Sequence, residues 1–393
     1  MGRLLDFAFL GILYMDFCEQ FSITCTGVVK IQWFKVSLFG LNSYICNPKV
    51  YSSSSGCLGG MARTDHFRGG SWGGKVKDLG NCINFETMIS VIVPLYNKEK
   101  SIKDTIQTVL SQSYQDFEIV VVNDGSTDRS VQQLKTISDA RIRLFEQENT
   151  GVSAARNRGI AEAHGEFVAF LDADDRWKPD YLQTQHALTI KYPDCSVFAT
   201  AYEIYDVLGH VNIPTLNRLT FSGDDGILTN YFEVATYSNP PLWTSAVMVR
   251  REAILEVGGF PKGIGSGEDL LTWARLAARF GVAYTRVPKA EYILQPGHDY
   301  GDIKKRLEMK WPDYVGDELR TIAHIVGKRD EGWHYLATWY KLRANKYYRG
   351  RNRQASFVFS LRAIRYWPMN FSNWCYLFFN FLPLRWVKRI MKW

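Results

Sequence analysis

The spacing of hydrophobic and polar positions changes character at Met88. Before it, no sustained period of 2 or 3.6 residues appears. A serine run occupies 52–55 and glycine pairs fall at 59–60, 69–70 and 73–74. The segment 1–87 is therefore expected not to fold alone, and Met88 is read as the native start behind an upstream extension or a disordered leader. The apolar run Phe7–Tyr14 follows Arg3, but it is short, comes after Asp6 and lacks a small-residue cleavage site, so it makes a poor secretion signal. From Met88 onward, β-branched runs alternate with helical spacing. The pattern predicts strands over 89–94, 118–123, 141–145 and 166–171, with helices near 101–113, 129–137 and 152–164. Short connections between such units imply right-handed crossovers and a mainly parallel α/β sheet, whose ligands gather at the carboxyl ends of the strands.

Composition narrows the class. The chain has 393 residues, 46% hydrophobic and 22% charged, and a mean hydropathy of −0.19 argues against a polytopic membrane protein. The net charge of +7 conceals an asymmetry, because 341–393 holds twelve Lys or Arg and no acid; taking those twelve from the total leaves −5 for residues 1–340. Of seven cysteines, only Cys195 and Cys375 lie beyond residue 88, and no metal or disulfide spacing is present. Two scattered thiols suit a reducing compartment, so a cytoplasmic location is expected.

Polar loops at the predicted strand ends carry the candidate chemistry. After the first strand, Pro94 stops ladder pairing and Tyr96 offers a flat face for a base, although an ordinary strand-to-helix turn accounts equally for this loop. Asp124, after the second strand, is either a base- or ribose-binding carboxylate or an Asx turn beside Gly125. The stretch Asn149–Gly159 opens a helix whose free amides suit an anion, with Arg156 one turn inside. Asp172, Asp174 and Asp175 crowd the end of the fourth strand. Three carboxylates on four residues need a counter-charge, and hard oxygen donors favour Mg2+ or Mn2+, which share their shell with substrate phosphates. A solvated acidic turn is the alternative.

Together the phrases VIVPLYN at 91–97, VVNDGSTD at 121–128, NTGVSAARNRG at 149–159, FLDADD at 170–175 and GED at 267–269 closely resemble the family 2 glycosyltransferases of the GT-A fold. The resemblance covers residues 88–300. It implies that Pro94, Tyr96, Glu99 and Asp124 surround the nucleotide base, that Arg156 lies near the diphosphate, and that Asp172 contacts ribose or sugar. It further implies that Asp174 binds the metal, with Asp175 as a secondary candidate, and that Asp269 is the general base with Glu268 beside it. The family's further metal-ligand histidine has no clear counterpart; Gln295 or His298 falls nearest. The implied reaction is single-displacement, inverting transfer from a nucleotide diphosphate sugar, with UDP-sugars favoured. The processive synthases' Gln-x-x-Arg-Trp phrase is absent, so a non-processive enzyme is expected.

The segment 301–393 is expected to be helical. Its apolar stretch Trp374–Leu384 is too short to span a bilayer, and flanking basic and tryptophan residues suit a helix lying on an anionic membrane; packing on the core with a solvated basic face is the alternative. Nucleic acid is not an expected partner. The expected context is the inner face of a bacterial plasma membrane, where a glycan or lipid-linked acceptor is glycosylated in surface polysaccharide synthesis. Competing readings are a sugar nucleotidyltransferase and a non-catalytic nucleotide-sugar-binding or membrane scaffold protein.

Overall fold

The computed structural model describes residues 88–294, 313–327, 330–383 and 385–387. The expected leader 1–87, and both Gln295 and His298, lie outside the described residues. All of the described residues belong to one compact unit, Val76–Trp393.

The predicted alternation is present. Strand β1 (Ile89–Leu95) is followed by helix α1 (Ile102–Leu110), β2 (Phe117–Asp124), α2 (Ser130–Lys135), β3 (Ile142–Gln147), α3 (Val152–Glu162) and β4 (Phe167–Phe170). Beyond these come β5 (Arg176–Trp177), α4 (Tyr181–Lys191), β6 (Cys195–Tyr205), β7 (Val211–Asn212), β8 (Asp225–Ile227) and α5 (Tyr231–Tyr237). A 3-10 turn over Thr244–Ala246 leads into β9 (Val247–Arg250), α6 (Arg251–Glu256), α7 (Glu268–Ala277) and β10 (Gly281–Ile293). Among the described residues, α8 (Tyr314–Val326), α9 (Glu331–Arg349), α10 (Arg353–Tyr366) and α11 (Phe371–Phe379) follow.

The sheet runs β3-β2-β1-β4-β9-β6-β10-β5, with β7 on β6 and β8 on β10. Strands β3, β2, β1 and β4 are parallel, and β9 enters antiparallel between β4 and β6. Strands β1 and β2 are covered on both faces, which is why they read as near-continuous apolar runs. Pairing of β1 with β4 stops at Ile92–Phe170, although the Ile92 carbonyl still accepts from the Leu171 amide at 3.0 Å. Pro94 has the same parity as Ile92 and lacks the N–H that would continue this ladder. The chain after Leu171 is thereby released from the sheet at the point where strand order reverses, opening a crevice.

Helix α3 lies across β1 because two residues permit it. Gly159 sits so close that a Cβ there would fall 2.4 Å from Cγ2 of Ile92. Asn157 clamps the segment before α7: its amide donates to the Phe260 carbonyl at 2.7 Å, and its Oδ1 accepts from the Phe260 amide at 2.8 Å.

The carboxyl-terminal helices share a core with one face of the sheet. Tyr335, Leu336, Trp339 and Tyr340 of α9 join Ile92, Phe170 and Trp273 in a single buried cluster, while α1 and α4 close the other face. Each such aromatic or aliphatic side chain contributes about 1.5–3 kcal/mol on burial.

Gly159→Val is expected to destabilise the fold by about 1–3 kcal/mol through overpacking against Ile92, read as a lower urea midpoint with an unchanged slope.

Candidate active site

Two loops at the carboxyl ends of β1 and β2 are laced to each other. The Asn97 amide donates to Ser126 Oγ at 3.1 Å, and Asn97 Oδ1 accepts from the Thr127 amide at 2.8 Å. The Lys98 and Glu99 amides donate to Ser130 Oγ and Asp128 Oδ2, while Glu99 Oε2 accepts from the Arg129 amide at 3.0 Å. Asn97 adopts φ 51°, a left-handed conformation that asparagine tolerates, and this turns the loop toward its partner. Glu99 therefore fastens the loop here, while Tyr96 is 46% exposed.

Asp124 is buried, and its carboxylate accepts from the Thr150 amide at 3.0 Å, the Gly151 amide at 2.9 Å and Gln147 Nε2 at 2.8 Å. It thus holds the loop that enters α3. Gly125, at φ 72°, lets the backbone pass this loop, because a Cβ there would meet the Asn149 amide at 3.0 Å. Gly151 precedes the first turn of α3 with φ 94°.

The three acids after β4 have three different surroundings. Asp172 Oδ1 accepts from Arg156 Nη2 at 2.7 Å, and its own amide donates to Ser245 Oγ at 3.1 Å. Asp174 is ion-paired with Lys98. Asp175 is buried: Oδ2 accepts from Ser245 Oγ at 2.5 Å and Trp243 Nε1 at 3.4 Å, and Oδ1 from the Ile293 amide at 3.2 Å. Burial first, then the Asp172 and Asp174 charges, raise its pKa well above the ordinary aspartate value against the Ser245 hydrogen bond. Both of its oxygens accept hydrogen bonds inside the protein, tying the turn to β10 and the 3-10 segment. The turn is pinned from α1 as well, since Ser101 Oγ donates to the Ala173 carbonyl and Thr105 Oγ1 to the Asp175 carbonyl, both at 2.9 Å.

Arg156 joins this turn to α7. Its side chain is buried, and it faces Asp172 together with the charges of Glu268 and Asp269. Burial works against its charge, yet these three acids hold its pKa above the ordinary arginine value. Nε and Nη1 are buried without a hydrogen-bond partner, and the guanidinium lies 5.1 Å from the ring centroid of Phe260. The acids thus compensate the charge of the guanidinium while two of its buried donors stay unmatched.

Glu268 and Asp269 occupy the first turn of α7, where the helix dipole favours negative charge. Gly267 caps this turn at φ 90°, and a Cβ there would strike the Trp339 ring at 2.6 Å. Burial, then Asp269, raises the pKa of Glu268, with Asp172 adding to the effect and Arg156 opposing it. The rings of Tyr231 and Tyr335 lie 6.4 Å apart between centroids, and both hydroxyls are close enough to Asp269 to feel its charge.

Sequence reasoning missed Lys98, Ser245, Trp243, Asn157 and the Tyr231–Tyr335 pair. Asn157 stands inside a quoted phrase and Lys98 directly follows one; the others come from stretches with no motif. Among the described residues, no three of His, Cys, Asp and Glu cluster as a ready-made metal site. The carboxylates at 172 and 174 nevertheless suit a hard divalent cation that completes its shell with phosphates, because Mg2+ or Mn2+ in such a setting needs only one or two protein oxygens. Lys98, part-exposed on a flexible stem, is a counter-ion that such a cation can replace.

Residues 90–258 match the family model described as glycosyl transferase family 2. TuaG of Bacillus subtilis, a glycosyltransferase assigned to teichuronic acid biosynthesis, is 31% identical over 209 residues, covering 51% of this chain and 76% of TuaG. An uncharacterised glycosyltransferase of Rickettsia felis is 30% identical over 213 residues, covering 52% of this chain and 33% of that protein. The chain thus spans about a third of the length of this relative and, at 31%, of a second one from Rickettsia conorii. Among solved structures, Staphylococcus aureus TarS in complex with UDP-GlcNAc superposes with a TM-score of 0.55 at 19% identity, over 70% of this chain and 82% of that one, a likeness of fold.

A carboxyl whose pKa is higher folded than unfolded binds more protons when folded, so the stability it lends is present at low pH and lost as pH climbs through the raised value. Relative to the unmodified protein, Glu268→Gln is accordingly expected to gain stability as pH rises above 4.5, measured by thermal unfolding from about pH 4 to about pH 8. A constant difference across that range contradicts the raised pKa.

Proposed function

The chain belongs to glycosyl transferase family 2, and from that premise we propose that it transfers one sugar per binding event, with inversion, from a nucleotide diphosphate donor to a hydroxyl of a glycan or lipid-linked acceptor. The observation that carries the reading is the convergence on Arg156 of Asp172 from the β4 turn and Glu268–Asp269 from α7. These acids are about a hundred residues apart in sequence, and in this reading they line one crevice at the carboxyl ends of the strands. UDP-sugars are the favoured donors, by analogy with TarS, which has been solved with UDP-GlcNAc; surface polysaccharide synthesis is the favoured setting, by analogy with TuaG.

In this reading Tyr96 lies against the base at the mouth of the laced loops, where a nucleotide can stack on its exposed ring. Pro94 and Glu99 shape that mouth, and Asp124 acts through the loop it holds. Arg156 binds an oxygen of the donor through its unmet guanidinium donors, and Asp172 orients Arg156 and contacts the ribose or sugar. Asp174, once Lys98 gives way, would hold Mg2+ or Mn2+. The bound cation supplies positive charge that stabilises the departing diphosphate. No protein acid is then needed, and one base suffices. Asp269 takes the proton of the acceptor hydroxyl as that oxygen attacks from the face opposite the leaving group. Glu268, kept protonated to higher pH than an ordinary glutamate, leaves Asp269 as the available base. His298 remains a proposed further ligand.

The proposal is tested with donor panels and two substitutions. A UDP-sugar with Mn2+ is expected to stabilise the protein by about 2.7 kcal/mol at a hundred times its dissociation constant. Asp269→Asn is expected to keep this donor-induced shift while transfer falls roughly 10²- to 10⁴-fold. Asp174→Asn is expected to lose the Mn2+-dependent part of both. Full Mn2+-dependent transfer by both variants sinks the assignment.

A further inference from the structure

Helices α10 and α11 carry an apolar face that nothing among the described residues covers. On α11, Phe371, Trp374 and Phe378 recur at i, i+3 and i+7, and Phe381 continues the stripe one turn on. Exposure is 77% at Phe371, 58% at Phe378 and 70% at Phe381. Met369 at the entry and Trp386 beyond the exit are exposed as well. The opposite face is fixed inward: the Asn373 amide donates to the Ala363 and Trp367 carbonyls at 3.2 and 3.0 Å, and Arg353 donates to the Asn380 and Leu382 carbonyls. Phe381 meets Phe357 of α10 edge-on with centroids 6.1 Å apart, and Leu361 of α10 is exposed, so the stripe continues onto the neighbouring helix.

We propose that this α10–α11 face docks on the surface of a bilayer containing anionic phospholipid. Exposed Arg351, Arg353, Arg365 and Arg385 accompany the apolar stripe, and 341–393 contains no acid at all. That combination matches lipid chains below and negative headgroups around them, at a gain of about 1 kcal/mol per cation near the surface. No helix among the described residues is long and apolar enough to cross a membrane, so α11 lies in the interfacial plane, with Trp374 and Trp386 suited to headgroup depth. A second copy of the chain is a poor occupant, because an isologous contact through this face sets two acid-free basic surfaces against each other. The docked face also reaches the crevice through α9, since α10 and α11 pack on the helix whose Trp339 abuts Gly267 and whose Tyr335 lies near Asp269. Docking would therefore bring the crevice to a membrane-held acceptor, and only this last step rests on the proposed transfer reaction.

The full chain is co-sedimented with phosphatidylcholine vesicles with and without phosphatidylglycerol, at low and high salt. Binding is expected only with the anionic lipid, weakening as salt rises. Phe378→Ser combined with Phe381→Ser is expected to lower partitioning roughly tenfold or more, and Arg365→Glu with Arg385→Glu several-fold. Ile190→Ser, at an exposed position of α4, is expected to bind unchanged, and thermal unfolding identifies variants that are folded. Absence of binding to anionic vesicles overturns the proposal, as does binding that survives the double phenylalanine variant. Self-association without vesicle binding, abolished by the same variant, overturns it in favour of a second copy. Because vesicle binding is read without any sugar transfer, its failure leaves the proposed reaction standing, and failure of transfer leaves the docking result standing.

Discussion

A buried guanidinium among carboxylates organises the crevice. Desolvating an arginine costs several kcal/mol unless acids repay it, and Arg156 is repaid by acids from two distant segments, Asp172 after β4 and Glu268–Asp269 at the start of α7. The converse also holds, because those acids would repel one another without the cation. Each segment is thus held at a separation that the other requires. Two guanidinium nitrogens stay buried and unmatched, so the acids compensate the charge without using all of its donors.

The backbone around this charge is arranged by side-chain hydrogen bonds more than by secondary structure. Asn97, Glu99, Asp128 and Ser130 lace the first two loops, Asp124 holds the third, Ser245 fastens the fourth through Asp172 and Asp175, and Asn157 secures the chain ahead of α7. A residue read from its type as a ligand is therefore often a fastener. Asp124 and Asp175 both look like free carboxylates in sequence, yet both spend their oxygens on backbone amides and hydroxyls. Fasteners of this kind give a binding crevice rigidity before any ligand arrives, which lowers the ordering cost of binding.

The carboxyl-terminal helices complete the site while extending away from it. Trp339 fills the space left by the side-chain-free Gly267, and the α9 tyrosine Tyr335 lies near Asp269, so α9 sets the position of the first turn of α7. Helices α10 and α11 then build outward from α9 and end on an uncovered aromatic face. One continuous core running from the sheet to these helices makes their position depend on packing as well as on the connecting chain.

What the sequence determined by itself was local and periodic. β-branched runs predicted the strands, helical spacing between them implied parallel crossovers, and Pro94, Asp124 and the crowded acids pointed to the strand ends where polar loops gather. The identity of the crevice was legible because its motifs are contiguous phrases. Pairings across the fold were not: Lys98 with Asp174, Asn157 with Phe260, Ser245 with Asp175 and Tyr335 with Tyr231 join residues separated by 70 to 104 positions or drawn from unpatterned stretches. Only the tertiary structure decided which carboxylates face the crevice and which are consumed in bracing it, because a carboxylate's role depends on the donors that reach it, and those are brought by other elements of the sheet.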